Sequence, residues 1–160
     1  MRDKNPILFF FIDMQIFPQS LQVLEDAPAV DAKDKLVSDD IRYDMVDKIL
    51  ADLQKAGGVE ACAAASRDGL LIRAIMQNEQ HAESLAAMSA TMLGAAEAAA
   101  AGLGKGVPDR IIVESELGRL IAVGAGPKTL LIALANSDTG LGLILLELER
   151  SAENLKELLK

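Results

Sequence analysis

Cysteine and histidine are nearly absent from this 160-residue chain: Cys62 is the only thiol and His81 the only imidazole. A lone cysteine excludes an internal disulfide and leaves no spaced partner for a zinc site, a usage that fits the reducing cytoplasm. Nucleophilic catalysis would need the thiol beside a base. Cys62, however, sits in an alanine-rich, strand-like run and His81 at the start of a helix-like one. Core packing for the thiol and solvation for the imidazole are the plainer readings. Basic charge is scarce as well. The 16 Lys and Arg face 24 Asp and Glu, a formal net charge of −8, which argues against nucleic acid or an anionic membrane surface as a partner. No residue pattern calls for a cofactor.

Long apolar runs are few. Ile7–Ile12 follows Arg2 and Lys4 but is broken by Asp13 with no small-residue cleavage site after it, so it reads as neither a secretory signal nor a span of about 20 residues. Leu85–Leu103 is nearer that length, yet it is mostly alanine. Ser89, Thr91, Gly94 and Glu97 lower its transfer energy, and no stable membrane insertion is expected.

Aromatics are confined to one end. Phe9, Phe10, Phe11 and Phe17 all precede Pro18, and from residue 41 onward Tyr43 stands alone. Pro18 to Asp40, with Pro28 and scattered acids, reads as a linker. The expected organisation is therefore an N-terminal arm and linker over 1–40 and a compact domain over 41–160. The four phenylalanines are an apolar payload without a core of their own, expected to contact this domain, its dimer mate or a partner.

Within 41–160 the punctuation is regular. Ser38 or Asp39 can cap a helix from Ile41 to Ala56, with Met45, Ile49, Leu50 and Leu53 on one face and Gly57-Gly58 as its stop. Val59–Ser66 and Leu70–Met76 flank Arg67-Asp68-Gly69, a β-hairpin signal. A helix from Glu79 or His81 to Ala101 ends at Gly102, Gly104 and Gly106. Asp109–Ser115, Arg119–Ala125 and Thr129–Ala135 are three more strands. Leu141–Leu146 alone fits strand or helix, but Leu145, Leu148, Ala152, Leu155 and Leu159 recur at helical spacing, with Asp138 or Thr139 placed to cap. The order α-β-β-α-β-β-β-α gives an α+β domain with a five-stranded antiparallel sheet.

The helix over Leu85–Leu103 is the most informative stretch, because Glu97 is its one charge. A helix without a polar face must be buried on more than one side. A second copy of the chain is the simplest cover. Ala87, Ala90 and Gly94 form a small-residue stripe that permits close approach, and with Glu97 they are the expected seam of a homodimer, beside Ile111 and Val113 on the following strand.

Other motifs carry less. Gly124-Ala125-Gly126-Pro127-Lys128-Thr129 lacks the glycine spacing and following helix of a phosphate loop, and reads as a tight turn. Gly102-Leu103-Gly104-Lys105-Gly106 follows a helix and reads as its stop. Glu114 and Glu116 share a strand-face spacing but border a turn, so solvated rim charges are expected. Arg67, Arg73, Arg110 and Arg119 raise the question of an arginine supplied to a GTPase. Surface ion pairs are the default reading.

Ser66-Arg67-Asp68-Gly69-Leu70-Leu71-Ile72, Leu85–Ala90 through Leu93–Glu97, Ile112–Ile121 and Leu141–Ile144 through Leu148–Arg150 together resemble the Roadblock family of dynein light chains and small-GTPase regulators. The resemblance implies a profilin-like α/β sandwich, dimerised through paired central helices and third strands. It also implies a noncatalytic, cytoplasmic, homodimeric adaptor that binds and regulates a Ras-like small GTPase, with activation of hydrolysis as one form of that regulation. A scaffold subunit of a larger assembly and a small-molecule sensory module are the alternatives.

Overall fold

The computed structural model describes residues 32–160, with side chains from residue 38 onward. The phenylalanines of the expected arm lie outside the described residues. Residues Val37–Lys160 form one compact unit. Its elements are α1 (Ala32–Lys55), β1 (Val59–Ser66), β2 (Leu71–Ile75), a 3-10 turn (Glu79–His81), α2 (Ala82–Gly102), β3 (Arg110–Glu114), β4 (Gly118–Ala125), β5 (Thr129–Asn136) and α3 (Leu141–Leu158). This is the expected α+β order.

Two helix starts differ from expectation. α1 begins ahead of Ile41, so residues 32–40, expected as linker, are helical. Neither proline nor glycine stands between Ala32 and Lys55 to break the helix. Ser38 and Asp39 therefore lie within α1 instead of capping it, and Asp39 faces Arg42 one turn on, at 4.0 Å. α3 is preceded by Gly140 with no side-chain cap. Thr139 is otherwise engaged: its side chain occupies the space where a Cβ on Gly58 would fall, and its carbonyl accepts from Arg119 Nη1 at 2.7 Å.

The sheet runs β2-β1-β5-β4-β3, antiparallel throughout. Alternation along the strands divides the core in two. One face presents Cys62 and Ala64 of β1, Ile121 and Val123 of β4, and Leu131 and Ala133 of β5 to α1 and α3, which contribute Val46, Leu50, Leu53, Ile144, Leu148 and Leu155. The other presents Ala63 and Ala65, Ala122, Leu130 and Ile132 to α2, which contributes Ala86, Ala90 and Leu93, with Leu85 half-buried against them. The result is a three-layer sandwich with one helix on one side and two on the other. Because β1 is covered on both faces, small residues fill it, and Ala61 through Ala65 are all buried.

The β1–β2 turn brings the sheet close to α2. Gly69 sits at φ +90°, and a Cβ there would stand 3.0 Å from Ala87 Cα. Both the left-handed backbone and the close approach require glycine, as the Asp68-Gly69 pattern predicts.

Candidate functional site

α2 meets the sheet along a narrow row. Ala82, Ala86, Ser89, Ala90 and Leu93 are buried, whereas Ser84, Ala87, Met88, Thr91, Gly94, Ala95, Ala98, Ala99 and Ala101 are exposed. That exposed face carries no charge over nearly five turns, and its one large side chain, Met88, is 61% exposed. Among the described residues, Glu79–Gly102 is the one helical stretch long and apolar enough, by length and composition, to cross a membrane.

Beside α2 runs β3, which among the described residues is an edge strand paired only with β4. Ile111 is half-buried and packs into the α2-side core, while Val113, on the same strand face, is 45% exposed. Among the described residues the outward amides and carbonyls of β3 have no ladder partner, an arrangement that invites pairing with another strand.

The six residues expected at the seam are thus divided. Ala87, Gly94 and Val113 are on open surface, and Ile111 borders it. Ala90 and Glu97 are corrections: both stand in the row that faces the sheet. Ala90 is buried against it, and Glu97, two turns beyond at helical spacing, is ion-paired to Arg67 of the β1–β2 turn. An alanine-rich helix has no amphipathic phase from which to read its orientation. The actual free face adds Ser84, Met88, Thr91, Ala95 and Ala98. Met88, exposed where Leu85, Met92 and Leu93 are wholly or half-buried, is the available signal.

All four arginines weighed as possible donors in trans are held within the chain. Besides Arg67, Arg73 pairs with Asp47 at 3.5 Å and lies 4.3 Å over the Tyr43 ring. Arg110 pairs with Glu149 and Arg119 with Glu114, each at 2.6 Å. Only Glu114 of the acidic pair is on a strand, since Glu116 falls in the β3–β4 turn. Cys62 is buried, its thiol donates to the Leu50 carbonyl at 3.3 Å, and burial pushes its pKa up to about 12. His81 is exposed at the entry to α2. The two are not brought together. Residues 124–129 span the end of β4, the turn at 126–128 and the start of β5, with Gly126 at φ +84° and the Thr129 hydroxyl donating to the Ala125 carbonyl. A cleft of about 380 Å³ lies at this end, between the start of β3, the β4–β5 turn and α3. Its charged lining is mixed, Arg67 and Arg110 with Asp109, Glu149 and Glu153. Among the described residues no group of three or more His, Cys, Asp or Glu side chains gathers to hold a metal ion.

Several known proteins are similar to this chain. Two uncharacterized proteins of Methanocaldococcus jannaschii are 34% and 33% identical to it over 112 residues, spanning 70% of this chain and 97% of theirs. Solved structures share the fold. MglB of Myxococcus xanthus superposes with a TM-score of 0.68 at 19% identity, covering 73% of this chain and 89% of that one. The gliding protein MglB of Thermus thermophilus gives 0.68 at 21% identity over 73% and 90% of the two chains. A Roadblock/LC7 domain from Streptomyces avermitilis gives 0.68 at 20% identity over 71% and 96%. Residues 45–135, from the middle of α1 through β5, match the Roadblock/LC7 domain, and the chain belongs to that family.

Proposed function

We propose that this chain is a noncatalytic homodimeric adaptor that binds and regulates a Ras-like small GTPase in the cytoplasm. The observation that carries the dimer is the uncharged face of α2 from Ser84 to Gly102, left uncovered by its own domain. Apolar surface of that extent marks an interaction site. A second copy answers it directly: two such helices crossing on a twofold axis bring identical small-residue surfaces together. The open edge of β3 beside them lets the two sheets join. A bilayer suits the face less well, because the opposite side of α2 packs on a sheet with open strand edges that hydrocarbon would leave unsatisfied.

The GTPase is inferred from family membership and not from the site's own geometry. Regulation requires different contacts with the GTP-bound and GDP-bound partner, since only differential affinity can bias a two-state cycle. The test is to mix the purified chain with a small GTPase of its own cell, loaded with either nucleotide, and to measure affinity, hydrolysis and exchange. The expected result is nucleotide-dependent binding with an altered rate, while the chain alone neither binds nor hydrolyses GTP. Equal binding to both states with unchanged rates rejects regulation and favours the scaffold.

A further inference from the structure

Glu97 is the one charge between Ser84 and Gly102, and it continues the sheet-facing row set by Ala86, Ala90 and Leu93. Beyond Leu93 no residue of α2 is buried. From Gly94 to Gly102 the helix therefore has no apolar anchor comparable with its first half. Arg67 supplies a polar one. Its backbone N–H is pinned to the Lys128 carbonyl at 2.8 Å, and its guanidinium crosses the sheet over Gly124 of β4. A Cβ on Gly124 would stand 2.6 Å from Nη2, so the guanidinium lies directly over this glycine. Nη2 leans on the Gly126 carbonyl at 3.4 Å, and Nη1 donates to Glu97. The pair is 31% and 27% exposed, which shields it from the screening that weakens surface pairs. Arg67 Nε is buried without a partner.

We infer that Arg67 is a positioning residue for the binding face: through Glu97 it fixes where the C-terminal half of α2 lies on the sheet, and so the shape of the surface offered to a second copy. The link to self-association rests on the dimer proposed above; the clamp itself does not. A clamp at one point makes a local prediction. Losing it should loosen the helix beyond Leu93 and leave the central strands as they were.

Hydrogen exchange on the full chain, read amide by amide with self-association measured in parallel, tests this for Arg67→Gln, Glu97→Gln and the double variant. Expected is exchange faster by about tenfold or more at residues 98–102 in each single variant, unchanged protection in β1 and β5, a weaker dimer, and no further change in the double variant, because the two side chains act as one unit. The same local loosening with undiminished self-association keeps the clamp and removes the C-terminal half of α2 from the seam. Unchanged exchange at 98–102, loss of protection spread evenly over β1 and β5 in both single variants, or additive effects in the double variant would each overturn it.

Discussion

The two faces of the sheet are built on different plans. The face under α1 and α3 is closed by two helices that bring branched side chains, Leu50, Leu53, Ile144, Leu148 and Leu155, onto Ile121 and Leu131. The face under α2 is closed by one helix that brings Ala86, Ala90 and Leu93, with Leu85 half-buried beside them. Burial free energy follows apolar area, roughly 25 cal/mol per Å², so the first face holds most of the stabilising burial. The second gives up that depth for thinness. A helix with small residues at its contacts lies close to the sheet and leaves its outer side uncharged from Ser84 onward, which suits a partner surface. On the proposed function, stability and recognition fall on opposite sides of one sheet.

The sharpest way to break this contrast is Ala90→Glu. Ala90 is buried against the sheet, and a carboxylate there has neither water nor the Arg67 guanidinium, which already serves Glu97. An unpaired buried charge costs several kcal/mol, a large part of a small domain's whole stability. The variant is expected to lose its folded circular-dichroism signal or to melt far below the wild type. A variant that melts like the wild type would show that α2 is not held where the structure has it. Leu148→Ala, at the centre of the closed face, should cost about 2–5 kcal/mol by the usual transfer and cavity terms, read from urea unfolding. A loss under about 1 kcal/mol would contradict the assignment of stability to that side.

Much of this architecture could be read from local chemistry. Asp68-Gly69 between two apolar runs specified the β1–β2 hairpin, and Leu145, Leu148, Ala152 and Leu155 separated α3 from a strand. Two features resisted for physical reasons. The start of α1 carries no strong signal, because residues 32–40 have charges throughout and no breaker, so composition alone suggested a linker. The orientation of α2 was hidden by its uniformity. With alanine on every side of it, the pattern fixes the phase weakly, and the small-residue spacing alone puts Ala90 and Glu97 on the outer side. Glu97 meets Arg67, thirty residues away, whose guanidinium lies over Gly124. Such a contact has no signature in any local window. The four paired arginines follow the same rule: surface pairing was the reading, but Asp47, Glu97, Glu114 and Glu149 emerge as the partners only in the folded chain.

Sedimentation equilibrium of the full chain and of Ala95→Glu tests the central claim most directly. Ala95 is exposed on α2, so a charge there should leave each domain folded while setting two like carboxylates against each other in the twofold seam. The wild type is expected at twice the 17.0 kDa chain mass, and the variant at the single mass with an unchanged circular-dichroism spectrum. A wild type that remains at 17.0 kDa at high micromolar concentration, or a variant that dimerises as tightly as the wild type, would contradict the assignment of this face to self-association.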